Sequence, residues 1–351
     1  TSPSRISCGR ERLWSRDPLP MIVDSYPLRD GGGDMRVLFR PGTGGLIDDL
    51  PSEQFRPALR DPRALLWVDL DMSENGARAR ELLSDVFHFH PLAMEDALGG
   101  IDHPRLNDFG EYLFLVVCAV DGGETADPDG LAIFLGPNYL ITCHTGMPSA
   151  VRALLSRARE DEGILAGGAA RLLCDLLRDI VSGFAVRIEH AERDLERVEA
   201  VALGRPSPEV VRRVATIRRT ITRWRPVLAS QRDVVGGLID EDHIVIPSGA
   251  LPHLRDLLAH LGDLVAGVAY LHDRVDGVMD LCLAMAVGRL AMWGSVWMVF
   301  SGVVLLSLLA AVMYAGGVPW GRWYGLLFGG VALVGVGYIV WRARRGWASR
   351  R

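Results

Sequence analysis

The segment Ser295–Tyr314 reads SVWMVFSGVVLLSLLAAVMY, and its flanks extend it: from Leu290 to Gly321 the chain carries no Asp, Glu, Lys or Arg. About twenty consecutive apolar residues is the length at which a helix crosses roughly 30 Å of hydrocarbon. A second uncharged run, Trp323 to Trp341, follows Val318-Pro319-Trp320-Gly321-Arg322. Two helices joined by so short a link form a hairpin, with both outer ends on one side of a membrane. Basic residues say which side. Arg342, Arg344 and Arg345 follow the second run and Arg350-Arg351 close the chain, while the link carries Arg322 alone. The positive-inside rule then predicts cytoplasmic N- and C-termini in a bacterial cytoplasmic (inner) membrane.

Everything before residue 289 has the character of a water-soluble protein. The chain has 351 residues, 49% hydrophobic and 23% charged, with a net charge of −5. That is enough for a large core and more than one domain. The slight acidity, with basic clustering confined to the tail, excludes a general nucleic-acid binder. Every basic side chain other than histidine is arginine, so no Schiff-base or general-base lysine exists. Five scattered cysteines without a CxxC pair fit buried thiols in a reducing compartment. The first twenty residues lack an apolar h-region and read as a disordered tail rather than a signal peptide.

Between residues 21 and 147, short apolar runs bounded by Gly, Pro or Asp read as strands: Met35–Arg40, Ala64–Leu70, Tyr112–Val120, Leu131–Leu135 and Tyr139–His144. Glu74–Val86 and Pro91–Leu98 read as helices. From about Pro148 the pattern is helical only. Ala169–Leu203 is a long amphipathic helix broken by Gly204-Arg205-Pro206, and Ser207-Pro208 caps and opens the next, to about Gly236. No proline stands between Pro252 and Pro319, which allows one helix from about Leu251 to Tyr314. The predicted fold is an α+β cytoplasmic domain, a mixed sheet with flanking helices, carrying a long helical stalk and two C-terminal transmembrane helices. Its segments are a tail (1–20), an α/β domain (21–147), a helical hairpin segment (148–249), the stalk and first span (250–314), an outer loop (315–322), the second span (323–341) and a basic cytoplasmic tail (342–351).

The stalk helix carries its acids in register. Asp256 and Asp263 are seven apart, as are Asp273 and Asp280, with Asp276 beside the second pair. Each pair shares a face. Around a symmetry axis such residues become rings of carboxylates suited to Mg2+ and similar hard cations; without one they are a solvated face. His88-Phe89-His90 has zinc-ligand spacing but no further ligand at a matching distance. No G-x-S-x-G, P-loop or H-E-x-x-H is present, so no enzyme and no organic cofactor is expected.

Phe89-His90-Pro91-Leu92-Ala93-Met94-Glu95-Asp96-Ala97-Leu98, then His103-Pro104-Arg105-Leu106 and Glu111-Tyr112-Leu113-Phe114-Leu115, resemble the CorA family of divalent-cation channels. The match is to an HPLxxEDxL segment, an RPK-like element and a Y-x-F-x-V strand, and the layout is similar over about residues 25 to 345. The resemblance implies a homopentamer with the long helices lining a pore, and cytoplasmic metal sites between subunits that hold the closed state. By that resemblance Asp96 of one subunit meets Asp280 of the next across Mg2+. Glu95 and Asp256 fall near a second site, whose third acid is unmatched at Ser182 or Gly183. The pore constriction falls on Ala291, Gly294, Trp297, Ser301 and Leu305, with Ala291 in place of a family asparagine. The outer mouth departs from the family: Tyr314-Ala315-Gly316-Gly317 stands where Gly-Met-Asn is usual, and the following loop has Arg322 instead of acids. The implied function is divalent-cation transport, Mg2+ first and then Co2+ or Ni2+. A Zn2+ transporter of the ZntB type and a non-conducting metal sensor remain as alternatives.

Overall fold

The computed structural model describes residues 35–99, 103–122, 127–202, 207–315 and 330. The expected N-terminal tail, the outer loop from Gly316, the second apolar run apart from Gly330, and the basic tail lie outside these.

Strand β1 (Met35–Arg40) pairs with β2 (Ile47–Asp48) and with β3 (Leu65–Asp71), and β3 pairs in parallel with β7 (Tyr139–His144). The meander β4 (Arg105–Asp108), β5 (Leu113–Val120) and β6 (Pro128–Leu135) completes a seven-stranded sheet of order β2-β1-β3-β7-β6-β5-β4. All pairs except β3–β7 are antiparallel. Every residue of β5 is buried, as is β3 from Leu65 to Leu70. Such unbroken apolar strands need cover on both sheet faces. The tight turn from β6 to β7 requires Gly136, where a Cβ would lie 2.2 Å from the Tyr139 ring.

One face is covered by α1 (Phe55–Ala58), α2 (Met72–Glu81), a π turn over Leu82–Val86, and α3 (Pro91–Leu98). Aromatic rings dominate this layer. Phe89 stacks on Phe134 at 4.2 Å between centroids and on Phe87 at 5.4 Å, and Tyr112 leans on Phe89 at 4.6 Å. The other face meets α4 (Ser149–Glu160), α5 (Gly163–Ala166) and α6 (Ala169–Ala202), and its core runs on without a break into α7 (Pro208–Asp240) and α8 (Leu251–Ala315). The α/β part and the helical part therefore share one core.

The sheet centre is polar in one place. Asp69 Oδ1 accepts from Thr142 Oγ1 at 2.6 Å and lies 3.0 Å from His144 Nε2, all three residues being buried. Arg36 reaches the other carboxylate oxygen at 3.4 Å. A buried carboxylate is tolerated only when it is paired and hydrogen-bonded in this way.

Helix α7 begins as its residues require: Ser207 Oγ accepts from the Val210 N–H at 3.3 Å, with Pro208 in the first turn. On α8 the buried residues are Leu254, Leu257, Leu261, Val268, Leu271, Val275, Val278 and Cys282, at the spacing of one helical stripe. That stripe seats α8 on α6 and α7. Ion pairs border it: Arg274 with Glu192 and Glu199, Arg218 with Asp276, and Asp194 with Arg197 and Arg213. Beyond Cys282 α8 leaves its partners, and Val287, Trp293, Trp297, Met298 and Leu305 are exposed.

Among the described residues no helix is long and apolar enough to cross a membrane. From Leu290 to Ala315 α8 is charge-free and continuous with the stalk. A crossing therefore rests on the sequence of that run.

Trp224 of α7 is buried edge-on to Phe184 of α6, and its indole N–H has no acceptor among the described residues. Trp224→Ala should cost about 3–5 kcal/mol by opening a cavity. Trp224→Phe should cost markedly less, because it also removes an unsatisfied donor. Chemical denaturation of the two variants checks this ordering.

Candidate cation sites and the final helix

The residues expected to bind cations lie on two elements. Asp96 and Glu95 are on α3, whose start is fixed by His90: its Nδ1 accepts from the Leu92 N–H at 3.2 Å, and Pro91 takes the first helical position. The His90 ring also stacks on Phe109 at 5.3 Å. His88 sits at φ 55°, with Nδ1 2.9 Å from the Ser84 carbonyl oxygen. The HxH pair is thus used to build the turn into α3, with His90 as helix cap and His88 held to its own backbone.

Asp96 faces a partner that the sequence reading did not anticipate. Arg105 at the start of β4 lies 2.8 Å from its carboxylate, and the two side chains are 37% and 46% exposed. Glu95 is exposed.

On α8, Asp256, Asp263, Asp273 and Asp280 are all exposed, as a solvated face or a subunit-facing stripe requires. Asp276 is different, because Arg218 of α7 takes it at 2.9 Å. The two readings of the stripe therefore separate at this residue: Asp276 belongs to the packing of the hairpin. Near the unmatched third acid, Arg187 donates to the Gly183 carbonyl oxygen at 3.1 Å.

Further along α8, Ala291, Gly294, Trp297, Ser301 and Leu305 follow one another at intervals of three or four and so share one helical face. All five are exposed, Trp297 and Leu305 by two-thirds. Ser301 Oγ donates to the Met298 carbonyl oxygen at 3.0 Å, which leaves its lone pairs free to accept. Tyr314 and Ala315 form the last turn of α8, while Gly316 and Gly317 lie outside the described residues.

A third cluster had no signal in any local motif. Asp108 ends β4, and Glu241 and His243 lie in the linker between α7 and α8. Their ligand atoms all fall within 4.8 Å of one another. The Gly110 N–H, ahead of the hydrogen bond and charge of His243, holds the Asp108 carboxyl below the usual carboxylate range. Close approach of α7 to β4 depends on Gly237, where a Cβ would lie 2.9 Å from Leu106 Cδ2.

This arrangement of sheet, hairpin and outsized final helix matches a known family. Residues 63–305 fit the family model described as CorA-like Mg2+ transporter protein. The chain belongs to the CorA family. The protein YfjQ of Bacillus subtilis is 23% identical over 308 residues, which cover 86% of this chain and 95% of that one. The fold is also similar to the CorA magnesium transporter of Methanocaldococcus jannaschii, with a TM-score of 0.70 and 17% identity, over 88% of this chain and 97% of the other. The ZntB cytoplasmic domain of Vibrio parahaemolyticus gives 0.60 and 11% identity, over 72% of this chain and 99% of that domain.

Because both members of the Arg105–Asp96 pair are more than a third exposed, water screens them heavily. Arg105→Gln should change stability by about 1 kcal/mol or less. A larger loss on chemical denaturation would mean that Arg105 is a structural anchor rather than an exchangeable partner of Asp96.

Proposed function

We propose that this CorA-family chain is a divalent-cation channel of the cytoplasmic membrane, assembled as a homopentamer around its α8 helices and gated by Mg2+ from the cytoplasmic side. The observation that carries this reading is the continuity of α8. One helix of 65 residues joins a stalk with four exposed aspartates to a charge-free run from Leu290 to Ala315. That run is about 39 Å long at 1.5 Å per residue. Ion occupancy on the stalk can thus reach the membrane segment through a single rigid rod.

In this scheme Mg2+ bridges Asp96 of one subunit and Asp280 of the next. Both carboxylates reach solvent in the single chain, and hard oxygen ligands suit the ion. Arg105 competes with the metal for Asp96. As cytoplasmic Mg2+ falls, the bridge empties, Asp96 returns to Arg105 and the aspartates of neighbouring stalks repel. The equilibrium then moves toward a wider pore by the difference in ion affinity of the two states. Ala291, Gly294, Trp297, Ser301 and Leu305 form the constriction, where Ser301 accepts hydrogen bonds from the water shell of a passing ion. At the outer mouth, Tyr314-Ala315-Gly316-Gly317 has no side-chain amide. The terminal carbonyls of α8, at the negative end of the helix dipole, take over the attraction of the cation. Mg2+ is the first cargo, followed by Co2+ and Ni2+.

The altered mouth also favours a second reading, a non-conducting metal sensor on the same frame. The likeness to the ZntB cytoplasmic domain adds Zn2+ to the cargoes to be tested. Uptake of Mg2+, Co2+, Ni2+ and Zn2+ into liposomes holding the purified protein separates these readings. Mg2+ flux is expected. Flux of Zn2+ alone would assign the ZntB type, and Mg2+-dependent protease protection without any flux would assign the sensor.

For the gating site, Asp280→Asn and Asp96→Asn should each raise the Mg2+ concentration needed for protease protection by about tenfold, the effect of about 1.4 kcal/mol. Arg105→Gln should lower it, since the metal then has no competitor. Unchanged protection in Asp280→Asn would remove that residue from the site.

A further inference from the structure

His243 is the least exposed histidine side chain of the α7–α8 linker region, at 1%, yet it sits between two carboxylates that reach solvent. Its Nδ1 is 2.6 Å from Asp108 Oδ2. Its Nε2 is 3.1 Å from the Gly237 carbonyl oxygen and 3.8 Å from Glu241 Oε2. An ionised carboxylate only accepts, so Asp108 takes the Nδ1 proton and fixes the tautomer. A neutral ring then turns the Nε2 lone pair toward two further acceptors, with no hydrogen between them. Three electron-rich atoms converge on one point, and either a second proton or a metal cation relieves the conflict.

A metal fits these distances. Ligand atoms at about 2.0–2.2 Å from a cation, at angles near 90–110°, stand roughly 2.8–3.6 Å apart. The Nε2–Gly237 separation falls in that range, and the 67%-exposed Glu241 side chain is free to close the small remainder. A ligating histidine that gives its other N–H to a carboxylate is also the usual outer-shell arrangement of metal sites. We propose that His243 Nε2, the Glu241 carboxylate and the Gly237 carbonyl oxygen bind a divalent transition-metal cation, Zn2+ or Co2+ in class, with Asp108 orienting the imidazole. Imidazole nitrogen selects such ions over Mg2+, which prefers oxygen alone. Glu241 provides the way in from solvent.

The site is separate from the carboxylates proposed for Mg2+. It binds the linker that precedes α8 to the last turn of α7 and to the end of β4. The other end of β4 carries Arg105, the partner of Asp96. Transition-metal occupancy would therefore stiffen the joint at which the stalk helix leaves the sheet.

The test is Zn2+ binding to the purified full-length protein by equilibrium dialysis, with excess Mg2+ present to fill the oxygen-only sites. About one Zn2+ per chain should remain bound. Glu241→Gln and His243→Gln should each weaken it by at least about tenfold, and Asp108→Asn by about 10–100-fold. Glu241 is a surface residue, so the metal-free melting temperature of Glu241→Gln should equal that of the wild type and exclude misfolding as the cause. Absence of Mg2+-resistant Zn2+, or binding that survives Glu241→Gln unchanged, overturns the site and leaves His243 simply hydrogen-bonded to Asp108. The readout is binding rather than flux, so its failure would leave the channel reading intact.

Discussion

The stripe of buried side chains from Leu254 to Cys282 is what gives α8 a direction. Apolar burial at about 25 cal/mol per Å2 is not directional in itself, but a helix that presents only one such stripe can lie on the α6–α7 hairpin in only one rotation. Fixing that rotation decides which α8 residues face away. The aspartates Asp256, Asp263, Asp273 and Asp280 are exposed because the stripe is buried. Asp276 is the exception, because Arg218 of α7 claims it. What separates an acid that packs the hairpin from one left facing solvent is therefore whether α7 sets an arginine opposite it.

Much of this was legible before any coordinates, where local chemistry dictates the answer. Met35–Arg40, Tyr139–His144 and Pro91–Leu98 stand at their expected bounds, because each is an apolar run closed by residues that end regular structure. The expected helices at 169, 208 and 251 also begin at those residues, the second of them on its Ser207 cap and Pro208. Strands β2 and β4 were not legible. They have two and four residues, and Arg-Leu-Asn-Asp has no apolar alternation to mark it. Pairing with a long neighbour makes β4 a strand, and no single-segment pattern carries that information.

The candidate sites divide in the same way. Asp96 and Glu95 were visible because a compact motif surrounds them, but their neighbour Arg105 is brought in by sheet pairing. Asp108 and His243 are 135 positions apart, and neither belongs to a spacing that announces a metal. Their meeting is a product of the fold alone. His90 shows the converse. Its spacing from His88 has the look of a metal motif, yet its Nδ1 serves as the acceptor that starts α3, so the backbone takes the lone pair that a metal would have used.

The position of α8 after the hairpin in the sequence also has a consequence for synthesis. The hairpin is complete at Asp240, but the stripe that covers its apolar side is not finished until Cys282. At 5–20 residues per second, a ribosome takes roughly 2–8 s to add the intervening stretch. During that interval the sheet and hairpin stand with a long apolar groove open, and the first segment able to fill it is followed at once by the charge-free run. A newborn chain must therefore close its own core and deliver its most insoluble segment almost together, which makes the moment of emergence of α8 the point where a chaperone or the insertion machinery has most to do.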